Sequence, residues 1–120
     1  MRMSEIDYEA QPPIDAYGPG GFRIAGDWHT GGLIVTSAGI DALDDEPSVE
    51  TLAPVLAAAA QIDVVLFGMG SDIASLPRDL RQTLEDAGLG YEIMSTPSAC
   101  RTYNVLLSEG RRIGAALLAV

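Results

Sequence analysis

The chain has no lysine: all seven of its basic residues are arginines. A Walker-type phosphate loop, which needs a lysine after its second glycine, is therefore excluded. Basic residues of any kind are outnumbered by 17 Asp and Glu, giving a net charge of −10. Such a surface repels phosphate backbones, whose non-specific binding depends on basic contacts, so nucleic acid is not an expected partner. One cysteine, Cys100, excludes an intrachain disulfide and a multi-cysteine metal site. One histidine, His29, has no partners at metal-ligand spacing. Apolar runs are short, Ala115 to Val120 being among the longest, against the roughly 20 residues that a membrane helix needs. Met1 to Gln11 has neither the apolar core nor the small-residue cleavage pattern of a secretory signal. A cytoplasmic protein without direct membrane insertion is expected. Aromatics make up only 6% of the chain, so its core must be largely aliphatic.

What is present is ample for one core: 120 residues, 48% hydrophobic, a size at which roughly two thirds of the unfolded surface can be buried. Charge is uneven. Twelve acidic residues face only Arg2 and Arg23 from Met1 to Ser75, whereas five acidic residues meet five arginines from Leu76 onward. An anionic group is therefore expected to approach the C-terminal part.

Residues 1–13 read as a flexible, acidic and proline-rich arm, and residues 14–120 as a single α/β domain. Phe22 to Ile24 and Trp28 to Thr36 suggest a β-hairpin turning at Gly26-Asp27, with Gly31-Gly32 as a bulge in its second strand. Asp41 to Pro47 reads as an acidic loop. Leu52, Val55, Leu56 and Ala59 fall at helical spacing, with Thr51 as N-cap and Pro54 in the first turn. Ile62 to Phe67 is a nearly all-apolar strand, as expected when both faces are covered. Leu76, Leu80 and Leu84 form the stripe of a second helix that stops at Gly88. Tyr91 to Met94 is a strand, about Arg101 to Glu109 a third helix, and Ile113 to Ala119 the last strand. Helix and strand thus alternate from Leu52, which implies parallel pairing. The hairpin adds antiparallel strands, and the outcome is a three-layer α/β domain with a mixed sheet.

Polar groups concentrate in Thr96 to Asn104. Arg101 at a helix start opposes the macrodipole and calls for a compensating carboxylate, carbonyl or anion. Ser98 and Thr102 are candidate caps, Asn104 a backbone stitch, and Tyr103 an apolar body with a polar tip. Together they form either a structural lock or one wall of a small pocket. Phe67-Gly68-Met69-Gly70 lacks the third glycine of a dinucleotide fingerprint, so Gly68 and Gly70 point first to a tight turn or close packing. Cys100 near a helix start suggests a lowered thiol pKa, but no base accompanies it and no local signature supports catalysis; it reads as a small packed residue. Asp41, Asp44, Asp45 and Glu46 lack the order of a calcium loop and read as a solvated run. No cofactor and no catalytic residue are expected.

Ala99-Cys100-Arg101-Thr102-Tyr103-Asn104, followed by Leu106, Glu109-Gly110-Arg111-Arg112 and Ala115-Ala116-Leu117, resembles the signature of the Mth-domain family. Ala16-Tyr17-Gly18 with Gly21-Phe22, the Gly32 to Val35 strand, Gly68-Met69-Gly70 and Leu76-Pro77 match as well. Relatives in that family include mitochondrial complex I assembly factor 3 and the adipogenesis-associated Mth-domain-containing protein. The chain departs from the family in carrying Met69 where threonine is usual. The resemblance implies a three-layer, mixed-sheet α/β domain with no established enzymatic activity, whose best-defined role is complex I assembly by a membrane-associated protein that binds partners. The expected function is a non-enzymatic interaction module, a monomer or weak homodimer, with Gly68, Gly70, Thr96, Arg101, Thr102, Tyr103 and Asn104 as candidate binding residues. The alternative is a small-molecule or anion site, enzymatic or not, between Gly68–Gly70 and Thr96–Asn104.

Overall fold

A computed structural model describes residues 11–71 and 74–120; most of the expected N-terminal arm, residues 1–10, lies outside the described residues. The elements are β1 (Ile14–Gly18), β2 (Gly21–Ile24), β3 (Asp27–Thr30), β4 (Gly32–Thr36), β5 (Gly39–Leu43), α1 (Ala53–Ala57), a 3-10 turn at Ala59–Gln61, β6 (Val64–Gly68), α2 (Arg78–Asp86), β7 (Gly90–Met94), α3 (Thr96–Ser108) and β8 (Ile113–Leu117). They form two sheets. A five-stranded sheet has the order β5-β4-β8-β6-β7, and a three-stranded sheet the order β1-β2-β3.

In the larger sheet β6 pairs parallel with β7 and β8, while β4 pairs antiparallel with β5 and β8. The sheet is mixed, as expected. β7 and β8 flank β6 on opposite sides, so right-handed crossovers through α2 and α3 must place those helices on opposite faces. Alternate residues of each strand then enter separate cores. Leu33, Val35, Leu66, Ala115 and Leu117 face α3 and the small sheet, joining Tyr103, Phe22 and Ile24. Ile34, Val65, Phe67 and Ala116 face the other way, onto Val55, Leu80 and Leu84. This double burial is why β6 and β8 read as continuous apolar runs.

The expected hairpin divides between the two sheets. β2 and β3 do form a hairpin, through a turn at Ala25 and Gly26, both with positive φ. The second strand, however, does not continue to Thr36 through a bulge. Gly31 takes a φ of +87°, a left-handed conformation that breaks the extended chain, and β4 leaves for the larger sheet. Asp41 lies on β5 rather than in a loop, opposite Ile34, and is exposed to solvent. Thr51 does not cap α1, whose first turn carries Pro54; it exchanges hydrogen bonds with Ser48 instead. Gly88 ends α2 as expected, at a φ of +77°.

The third helix begins five residues before its expected start. Ser95 is its N-cap, extended at φ −66° and ψ 155°, and its side chain accepts from the Ser98 N–H. Pro97 lies in the first turn, where its missing N–H is harmless. Gly110, at a φ of +76°, terminates the helix, and Arg111 N–H returns to the Leu106 carbonyl.

Candidate functional site

Two constructions share α3. The first lies at the carboxyl edge of the larger sheet, where ligands commonly bind in α/β folds. Here the edge is closed by protein. The Thr96 hydroxyl accepts from Gly70 N–H at 2.9 Å and donates to the Leu118 carbonyl at 2.7 Å. Thr96 N–H donates to the Gly70 carbonyl, Leu118 N–H to the Gly68 carbonyl, and Met69 N–H to the Met94 carbonyl. The ends of β6, β7 and β8 are thus joined through one fully buried threonine. Gly68 is required there by close approach. A Cβ on it would sit 3.0 Å from Thr96 Cα and 3.1 Å from Ala99 Cβ. Gly70 is required by its φ of +84°. Gly68, Gly70 and Thr96 therefore come together in direct contact.

The second construction joins α3 to the N-terminal part of the chain. The Asn104 amide brackets one residue of β1. Ile14 N–H donates to Asn104 Oδ1 and Asn104 Nδ2 donates to the Ile14 carbonyl, both at 2.8 Å. One side chain thereby replaces a neighbouring strand. One position earlier, the Tyr103 hydroxyl donates to the Pro12 carbonyl at 2.8 Å. Gln11 Nε2 reaches the Ile113 carbonyl, so Gln11 and Pro12 are fastened to α3 and β8. Burial drives the Tyr103 hydroxyl pKa upward, and its hydrogen bond with Gln11 opposes that only in part.

Beyond the Asn104 bracket, β1 and α3 diverge to leave an open groove of about 300 Å³. Its walls are Ile14, Asp15, Ala16 and Tyr17 on one side and Pro97, Cys100, Arg101 and Asn104 on the other. The helical members recur at intervals of three and four, which puts them on one face. Arg101 is exposed and stands in the second turn of α3, not at its start. The macrodipole conflict expected for it is absent, because that effect fades beyond the first turn. Thr102 and Ser98 are not caps; both lie inside the helix that Ser95 caps. The groove also departs from its expected location, since Gly68 and Gly70 do not line it.

Cys100 is buried, and desolvation pushes its thiol up to about 11. This reverses the lowered pKa considered from the sequence, because the residue is in the second helical turn and packs into the core. A protonated thiol is a poor nucleophile at neutral pH. His29 is half-buried on β3, in a different seam, beside Asp27, Ile40 and Asp41. Among the described residues, His, Cys, Asp and Glu make no group of three or more able to hold a metal.

Sequence reasoning missed Ser95, Ile14, Pro12 and Gln11. Ser95 had a local signal, a serine two residues before a proline. The other three had none, because their partners lie about ninety or more residues away.

A five-stranded mixed sheet with two helices on one face, and α3 plus a small second sheet on the other, defines a small three-layer α/β domain. The chain belongs to the family described as "Protein of unknown function (DUF498/DUF598)", whose model matches residues 14–118. It is 55% identical over 118 residues to the protein RCAP_rcc01784 of Rhodobacter capsulatus, covering 98% of this chain and 93% of that one. It is 33% identical over 122 residues to NADH dehydrogenase (ubiquinone) 1 alpha subcomplex assembly factor 3 of Danio rerio, covering 98% of this chain and 70% of that protein. Among solved structures, an outer membrane protein from Bartonella henselae matches with a TM-score of 0.87 and 43% identity, over 90% of this chain and 94% of that one. A Mth938-like domain from Bordetella pertussis shares the fold, with a TM-score of 0.73 and 24% identity over 98% and 92% of the two chains. Among the described residues no helix is long and apolar enough to cross a membrane.

Proposed function

We propose that the chain is a non-catalytic protein-binding module, an assembly factor for a respiratory or other membrane protein complex, acting from the cytoplasm as a monomer or weak homodimer. The observation that carries this reading is the likeness to assembly factor 3 of Danio rerio across 98% of the chain. The chemistry around α3 supports it. The buried thiol is held protonated, and Thr96, Tyr103 and Asn104 spend their polar atoms on backbone partners. Arg101, exposed on the groove wall, is the side chain of the motif best placed to meet a partner. The test is quantitative affinity capture from the native cell with wild-type protein and Arg101→Ala. Loss of one or more partners, with an unchanged melting curve, is expected. Identical partner sets would remove the groove from the interface.

A second reading takes the groove as an anion or small-molecule site, motivated by its volume of about 300 Å³ beside Arg101, near the lower end of ligand pockets. Titration with inorganic phosphate and small carboxylates, followed by amide chemical shifts, tests it. Saturable shifts confined to the groove at sub-millimolar concentration would favour this reading; their absence would remove it.

A further inference from the structure

We propose that the groove receives an extended segment of a partner protein as an added strand on β1, with a carboxylate of that segment held by Arg101. This deepens the protein-binding reading and rests on it. The first observation is that β1 is an edge strand, paired among the described residues with β2 alone. Edge strands present unpaired N–H and C=O groups that can template another chain.

The hairpin geometry fixes which groups these are. Pro19-Gly20 is a two-residue connection, so Gly18 and Gly21 form the closing, hydrogen-bonded pair. The next pair, Tyr17 with Phe22, is then of the non-hydrogen-bonded kind. The β2–β3 hairpin gives the same parity: its two-residue turn makes Ile24–Asp27 and Phe22–His29 hydrogen-bonded pairs, so Phe22 directs its backbone to β3. Tyr17 N–H and C=O therefore point away from β2. The register of β1 shifts between Ile14 and Ala16, so that Ile14 faces Ile24, whose backbone is likewise directed to β3; the outward groups of Ile14 are those that the Asn104 amide brackets. At one end of the groove a side chain already imitates an added strand. At the other end, Tyr17 offers the same pair of groups beside Pro97.

The second observation is charge. Arg101 lies one helical turn from Asn104 on the same wall. It belongs to the C-terminal part, which holds five of the seven arginines in a chain of net charge −10. The opposite wall carries Asp15, whose Oδ2 accepts from Gly26 N–H at 3.2 Å and is thereby drawn toward the β2–β3 turn. A cation facing a strand edge suits an extended segment bearing Asp, Glu or a terminal carboxylate, because charge-assisted hydrogen bonds to guanidinium are the stronger ones.

The test uses two blocked pentapeptides, acetyl-Val-Thr-Val-Glu-Val-amide and its Gln counterpart, titrated into the full chain by NMR. The Glu peptide should shift the Ile14 to Tyr17 amides and the Arg101 side chain saturably, and bind about tenfold more tightly than the Gln peptide, a factor ordinary for one charge-assisted contact. That difference should vanish in Arg101→Gln. Tyr17→Pro, a change that edge strands tolerate, should abolish binding of both peptides; Arg101→Gln, at an exposed position, keeps the test available if Tyr17→Pro fails to fold. Equal affinities, or shifts mapping away from the groove, would overturn strand addition. The capture experiment judges the underlying reading separately: partners lost with Arg101→Ala while both peptides ignore β1 would leave a binding module and refute this mode of binding.

Discussion

The carboxyl edge of the larger sheet and the groove along β1 are built from the same helix, yet one is shut and the other open. At the edge, Thr96 satisfies Gly70 and Leu118 with one hydroxyl, and Gly68 lets the helix approach until no side chain fits between. At the groove, Asn104 satisfies only Ile14, and the next helical turn stands off from β1 behind exposed Arg101. The difference teaches that the usual position of an α/β binding site is not where this fold leaves its backbone groups open. At the sheet edge those groups are already partnered by Thr96.

The most damaging way to break this contrast is to open the closed edge. Thr96→Val removes the hydroxyl and leaves the Gly70 N–H and Leu118 carbonyl without their partner. Each such loss costs about 1–3 kcal/mol, so a destabilisation of about 3 kcal/mol is expected in chemical denaturation. A loss below about 0.5 kcal/mol would show that the edge is not closed by Thr96.

A smaller effect is expected where the N-terminal segment docks. Tyr103→Phe keeps the buried ring but deletes the bond to the Pro12 carbonyl, and should cost about 1 kcal/mol, the net worth of one hydrogen bond. Hydrogen exchange should accelerate first in β1 and β2, with the amides of β6 protected as before. Uniform acceleration across both sheets would show that the segment is not a separately anchored layer.

An effect absent at neutral pH and confined to alkaline pH concerns Cys100. Its folded pKa, about 11, stands above the ordinary 9.0, so the unfolded chain releases this proton first. Stability is then unaffected below pH 9 and falls as the pH rises from 9 toward 11. Cys100→Ala should flatten that decline, leaving the part due to Tyr103, whose pKa burial also raises. An unchanged slope between pH 9 and 10 would mean that the thiol is solvated.

Much of the architecture was legible because double burial leaves a pattern. Val64 to Phe67 is apolar without interruption, and Leu76, Leu80 and Leu84 recur at helical spacing. The division of the strands between two sheets was not legible, since Gly31-Gly32 is equally compatible with a bulge and a break; the positive φ of Gly31 decides it. In the candidate site, the gathering of Gly68, Gly70 and Thr96 followed from their loops succeeding neighbouring strands. Arg101 was misplaced because a polar run, Ser95 to Ser98, reads as loop, although Ser95 and Pro97 form a capped helix start. The role of Asn104 could be named as a backbone stitch but not assigned, because Ile14 lies ninety residues away.

The central claim is that two residues three apart on α3 do different work, Asn104 holding the fold and Arg101 facing a partner. The direct measurement is the unfolding free energy of Asn104→Ala and Arg101→Ala side by side. The account predicts a loss of about 2 kcal/mol for Asn104→Ala, which leaves the Ile14 N–H and carbonyl without their partner, and a change within about 0.5 kcal/mol for exposed Arg101→Ala. Equal losses at both positions would contradict it, making Arg101 as structural as Asn104.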